Sequence, residues 1–197
     1  ILGSAVTVIE TTEGERVKTI GFTGDLGRRQ PVLIHDREYV EDHVDALISE
    51  CTYGEHNHRS AAEVHGEFED FITRVHKRGG NIVVPAFSLG RTQEVVYALH
   101  KLTDEGKVPR MPVYIDSPLA TRITEIFGRY AEDSSPQSWQ DFTKPHEWPL
   151  IFKNLHVVLT HEDSYHLRHL TEPHVVIAAS GMCEGGRVVS HIAQRIE

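Results

Sequence analysis

Phe22-Thr23-Gly24-Asp25-Leu26-Gly27-Arg28 and Ser49-Glu50-Cys51-Thr52-Tyr53-Gly54 share one construction: a carboxylate set directly behind a short apolar run. Lys18-Thr-Ile-Gly-Phe22 precedes Asp25, and Ala46-Leu-Ile48 precedes Glu50. A carboxylate at the end of a buried strand is a rigidly held oxygen, which suits a metal site because ligand geometry must be set before the ion arrives. Taken alone, Asp25 also reads as a turn residue, since Asp bonds its own backbone and Gly accepts positive φ, and Glu50 as a partly buried strand-end glutamate in a local ion pair. A third segment shifts the balance toward a site. Val175-Val-Ile-Ala-Ala-Ser180-Gly-Met-Cys-Glu-Gly185-Gly-Arg187 runs from an apolar strand through a Gly-rich turn into a helix.

Outward from these stretches the chain alternates strand and helix. Ala5–Ile9 and Lys18–Phe22 read as strands joined by a turn at Thr12-Glu-Gly14, and Ala46–Ile48 as a third. Gln30 to Asp45 is an irregular connection containing Pro31. Ser60 is the expected N-cap of a helix to about His76, with Val64, Phe68, Phe71, Ile72 and Val75 on one face and Gly79-Gly80 ending it. Strands are expected at Asn81–Val84, Val113–Ile115, Leu155–Leu159 and Val175–Ala178, and helices at Gly90–Leu102 and Ala120–Tyr130. Continuous apolar runs alternating with amphipathic helices point to an α/β fold with a parallel sheet covered on both faces. Ser134 to Pro149, with Trp139 and Trp148, breaks the rhythm as a compact loop, whose tryptophans either pin it to the core or stack nucleobases.

With 39% hydrophobic and 25% charged residues, the 197-residue composition is that of a soluble globular protein. No apolar run approaches the length of a membrane span, and no signal peptide is visible, so no membrane partner is expected. Two cysteines, Cys51 and Cys183, suit a reducing cytoplasm and exclude a disulfide scaffold. The net charge of −9 does not exclude nucleic acid, because phosphate contacts are local under salt screening.

The three opening segments, together with Val84-Pro-Ala-Phe-Ser-Leu-Gly-Arg91-Thr-Gln-Glu94 and Val113-Tyr-Ile-Asp116-Ser-Pro118, resemble the β-CASP branch of the metallo-β-lactamase superfamily, zinc-dependent nucleases that process RNA. The closer likeness is to prokaryotic RNases and the eukaryotic pre-mRNA 3′-end endonuclease. The resemblance implies the end of a metallo-β-lactamase αββα core over residues 1–50 and a β-CASP domain over 51–197. It implies single-stranded RNA as partner, two zinc ions as cofactor, and hydrolysis by metal-activated water, endonucleolytic, 5′-exonucleolytic or both; a homodimer is compatible with it. Asp25 matches the aspartate that bridges the zinc ions, and Glu50 the acidic residue that supports the metal-side histidines. The family's His-x-His-x-Asp-His signature does not occur in this sequence. The resemblance therefore implies an internal piece of a longer protein, inactive alone because one carboxylate cannot retain catalytic zinc.

The resemblance also places Tyr53, Ser88, Arg91, Ser180, Gly181, Met182, Gly185, Gly186 and Arg187 at the substrate. The residues supply reasons for some of them. Helix N-termini present free N–H groups to phosphate, glycines let a backbone approach closely, and the Arg187 guanidinium is a planar fork that matches phosphate. Gly-rich strand-to-helix turns also occur without ligands, and Arg91 serves equally to contact RNA or to lock its loop. Asp116 and Ser117 end the next strand, where Pro118 opens a helix. His56, His58, His161, His166 and His169 read as surface or RNA-adjacent residues rather than metal ligands. Two other readings stay open: a small-ester metallo-hydrolase, against which the β-CASP segments speak, and a non-catalytic RNA-binding scaffold. RNA is favoured over DNA by family analogy.

Overall fold

Thr7, Val8, Ile9, Thr11 and Thr12 are all β-branched, and this carries the first hairpin further than apolar alternation indicates. In the computed structural model, which describes all residues except 42, 131, 132, 134, 136, 137, 139, 141–147, 196 and 197, β1 is Thr7–Glu13 and β2 is Arg16–Phe22. They pair antiparallel from Thr7↔Phe22 to Glu13↔Arg16. The expected strand Ala5–Ile9 is thus displaced toward Glu13. The turn tightens to Gly14-Glu15, with Gly14 at φ 64°, and opposite charges meet at its base. β3, Ala46–Ile48, adds parallel to β2 to complete a three-stranded sheet. It forms where expected but is not buried: Leu47 and Ile48 are 60% and 56% exposed. An apolar run records a capacity for burial, and in the described chain nothing covers this strand.

The second sheet is four-stranded and wholly parallel. Its strands are β4 (Ile82–Pro85), β5 (Val113–Asp116), β6 (Leu155–Val157) and β7 (Val175–Ala178), in the order β4-β7-β5-β6. Five helices accompany it among the described residues: α1 (Ala61–Lys77), α2 (Arg91–Asp104), α3 (Pro118–Arg129), α4 (His161–Arg168) and α5 (Arg187–Arg195). The steps β4 to β5 and β5 to β6 run one way across the sheet, and β6 to β7 runs back. Right-handed crossovers therefore send α2 and α3 to one face and α4 to the other. The core agrees. Val175 and Ile177 of β7 pack with Ile72, Val96, Leu99 and Phe127, whereas Val176 and Ala178 pack with Leu167 and Val188. Period-two alternation along β7 serves two cores, so its run reads as continuously apolar.

Local signals explain the helix limits. Ser60 caps α1 in a reciprocal box with Glu63, accepting from the Glu63 N–H while the Glu63 carboxylate accepts from the Ser60 N–H. Gly79 at φ 70° ends the helix. Of its expected apolar face only Ile72 is fully buried; Phe68 and Val75 pack on the core partly, and Val64 and Phe71 are exposed. Ser117 caps α3, with Pro118 in its first turn. The irregular connection also supplies core: Leu33 is buried, and its carbonyl accepts from the Ser135 N–H while Asp133 accepts from the His35 N–H.

Pro136, Trp139 and Pro145 of the loop expected over 134–149 lie outside the described residues. Its end is pinned to the core. The Trp148 ring lies where a side chain on Gly128 would have to go, 2.8 Å from such a Cβ, and His100 Nδ1 donates to the Pro149 carbonyl at 3.0 Å. Among the described residues no helix is long and apolar enough to cross a membrane. Ile72→Ala removes a side chain that bridges α1 to the larger core, and is expected to lower unfolding free energy by about 2–5 kcal/mol in urea titrations.

Candidate functional site

Parallel pairing brings the two carboxylate motifs together. β2 and β3 are in register at Phe22↔Ile48, and the Thr23 N–H continues the ladder to the Ile48 carbonyl at 3.1 Å. Asp25 and Glu50 therefore leave the same edge of adjacent strands. Thr23 Oγ1 ties the motifs further by accepting from the Glu50 N–H at 3.2 Å. The Glu50 carboxyl is held below its ordinary value, chiefly by the Thr52 N–H at 3.1 Å, with the Leu26 N–H and Arg37 assisting. Glu50 thus leans on the Asp25 loop. Ser4 Oγ accepts from the Asp25 N–H and donates to the Asp25 carbonyl, so the backbone is bonded while the carboxylate has no protein partner among the described residues. Tyr53 is exposed, its ring edge-on to His58.

The remaining candidates sit at the C-terminal edge of the parallel sheet, where ligands bind in open α/β folds. Helices leave neighbouring strands β4 and β7 toward opposite faces, opening a crevice between the turns that follow them. Ser88 follows β4, and its hydroxyl lies 3.3 Å from the Ser117 hydroxyl at the end of β5. Gln93, fully buried, locks this turn: Oε1 accepts from the Gly90 N–H, and Nε2 donates to the Ser88 carbonyl and the Thr124 hydroxyl. Arg91 pairs with Glu94 at 2.9 Å in the first turn of α2, and Arg28 approaches the same carboxylate at 3.7 Å. That contact joins the Asp25 loop to the parallel-sheet edge.

The Gly-rich turn after β7 has a different economy of bonds. The Ser180 N–H donates to Gly185, Cys183 to Ser180, and Val188 to Ala179. Among the described residues these are its backbone hydrogen bonds, leaving the N–H groups of Gly181, Met182, Gly185 and Gly186 without a protein acceptor. Gly186, at φ 79°, has no room for a side chain, because a Cβ would collide with the Ala179 carbonyl.

The sequence reading aimed Arg187 at a phosphate. The structure instead engages its guanidinium within the protein: Nη1 donates to Asp116 Oδ1 at 2.6 Å and to the Val158 carbonyl, and Nη2 to the Leu159 carbonyl. A planar fork that matches phosphate also matches carboxylate. Arg187 anchors the start of α5, and with it one end of the Gly-rich turn.

Asp116 itself has no solvent exposure. Besides Arg187 it accepts from the Ser164 hydroxyl and from His191 Nε2, each at 2.6 Å. Arg195 cannot accept, so its bonds to His191 Nδ1 and His174 Nε2 make both nitrogens acceptors and place the His191 proton on Nε2, toward Asp116. Burial pushes the Asp116 carboxyl up, but bonds from His191, Ser164 and Arg187 outweigh it and hold the group below its ordinary value. Burial, against the pull of the Glu172 carbonyl, holds His174 below its ordinary value. Sequence reading placed Asp116 at a strand end but missed this network, because its members are spread from residue 116 to 195.

Asp25 and Glu50 fit a metal only as carboxylate donors: among the described residues no three His, Cys, Asp or Glu side chains are grouped to hold an ion. His56, His58, His161, His166 and His169 are exposed. α4 was not foreseen, because His161–Arg168 is short and polar; Thr160 caps it and Leu167 anchors it.

A family model for the Beta-Casp domain matches residues 92–197, more than half of the chain. The chain belongs to the β-CASP family. A ribonuclease of Thermus thermophilus is 33% identical over 96% of this β-CASP chain and 42% of its own length. An RNase of Saccharolobus solfataricus is 32% identical over 100% of the chain and 36% of its own. A transcription termination factor of Methanosarcina mazei is 28% identical over 97% and 30%. The chain thus spans well under half the length of these relatives.

Two outcomes follow from the buried network. Asp116→Ala strands Arg187 and is expected to cost about 3–5 kcal/mol in chemical denaturation, against about 0–1 kcal/mol for Arg91→Ala at its exposed pair. The unfolded chain takes up a proton at His174 near pH 6.5, which the folded state resists. The His174 contribution is therefore whole above that pH and is lost on acidification below it, and the Asp116 contribution is lost only below about pH 3.8. Thermal melts between pH 7.5 and 5.5 are expected to fall with pH, less steeply in His174→Gln.

Proposed function

We propose that this β-CASP chain grips single-stranded RNA within a ribonuclease, positioning a phosphodiester at the sheet edge. The carrying observation is the Gly-rich turn 180–186, whose unpaired N–H groups suit phosphate oxygens and whose end is tied down by Arg187 on Asp116. Ser88 offers a hydroxyl across the crevice, and the Arg28–Glu94–Arg91 contact holds the Asp25 loop beside it. Names of ribonuclease and RNase on two relatives support an RNA substrate. Zinc is part of the proposal only through Asp25 as one carboxylate ligand, because the described residues do not complete a metal site. Endonucleolytic or 5′-exonucleolytic direction, a cytoplasmic location, the division at residue 50 and a homodimer belong to the same reading.

A non-catalytic RNA-binding role is the second reading, favoured by a relative named as a transcription termination factor. End-labelled single-stranded RNA incubated with the full-length protein, with and without zinc, separates the two. Asp25→Ala removes an exposed carboxylate with no protein partner, so thermal stability is expected to stay within about 0.5 kcal/mol. Cleavage is expected to fall on the order of a hundredfold or more. RNA binding without cleavage by a zinc-loaded wild type decides for the scaffold.

A further inference from the structure

The Phe87 side chain is 55% exposed although its backbone is among the most firmly held at the sheet edge. Its carbonyl accepts from both the N–H and the hydroxyl of buried Thr92, at 3.3 and 2.8 Å, and Ala86 before it pairs with Ala178 at the end of β7. The ring lies against Gly181: a Cβ there would stand 3.0 and 3.1 Å from Phe87 Cδ2 and Cε2. Glycine at 181 is thus what lets the phenyl ring lie against the Gly-rich turn. Met182, next along, is 63% exposed, and Leu89 37%. Singly exposed apolar side chains are ordinary, but a ring whose backbone is held beside amides without a protein acceptor offers a fixed apolar face.

We infer that Phe87 is a stacking platform for a nucleobase, placed beside the amide-lined turn so that one nucleotide sets its phosphate on the turn and its base on the ring. The inference rests on the RNA reading and deepens it. Continuity argues for this occupant: the aromatic and the unpaired N–H groups meet at Gly181, and a nucleotide is the ligand that carries an anion and a π-face a few bonds apart. Every base has such a face, so the contact favours no sequence. The Phe87 side chain carries no polar atom, so the contact it offers a base is the ring face alone.

Fluorescence anisotropy on the full-length protein in chelator tests this with two oligoribonucleotides of equal length, one with bases throughout and one abasic. Phe87→Ala is expected to weaken binding of the first on the order of tenfold and to leave the abasic strand unchanged, whereas Phe87→Trp retains affinity for both. Equal loss on both strands would overturn stacking in favour of a packing role for the ring. Unchanged affinity for the base-bearing strand would also overturn it. Wild-type protein that binds neither strand would instead bring down the RNA reading on which the inference stands.

Discussion

A carboxylate with no access to water can stay ionised only if the protein supplies the hydrogen bonds that water would have made, and Asp116 obtains them from three helical positions: Ser164, Arg187 and His191. Because these donors lie on α4 and α5, one residue at the end of β5 orients both helices of the smaller core. Arg187 carries the constraint onward to the carbonyls of Val158 and Leu159 beyond β6. Arg195 extends it to His174 in front of β7, where it meets two imidazole nitrogens that must accept. Three of the four parallel strands are thus tied through one buried charge.

The Gly-rich turn is suspended between this anchor and the end of β7. Its residues 182–186 are exposed, so amides without a protein acceptor are open to water and carry no burial penalty. Its ends are held at Ala179 and Arg187, glycine at 186 occupies a place that a side chain could not, and a Cβ at 181 would press on the Phe87 ring. The turn therefore keeps N–H groups that no protein acceptor takes up among the described residues. A parallel logic governs the first sheet, where the ladder between β2 and β3 sets Asp25 and Glu50 side by side and the contact of Arg28 with Glu94 brings that loop to α2. Membership in the β-CASP family accounts for the order of these segments; the hydrogen bonds account for why each is rigid.

Much of this was legible in the chain. The apolar runs at 82–85, 113–116 and 175–178, the Ser60 and Ser117 caps and the glycines after α1 all signal their elements through local chemistry. Other features were not. α4 lacks an apolar period, the hairpin continues through Glu10–Glu13 on strand propensity and cross-strand charge, and the apolar β3 is exposed. Arg187 shows the limit most clearly, because its guanidinium suits phosphate and carboxylate alike and only the fold says which is near.

The sequence by itself determined the α/β class, the parallel strands, the start of the capped helix α1 and the family, because these follow from periodicity, capping and motifs read within a few residues. Tertiary structure alone decided that Asp116, His191, Arg195 and His174 form one buried network, and that Phe87 lies on Gly181. Contacts brought together across as many as 94 positions, as in the packing of Phe87 against Gly181, leave no local trace. A buried polar group reveals its partner only when the chain has closed around it.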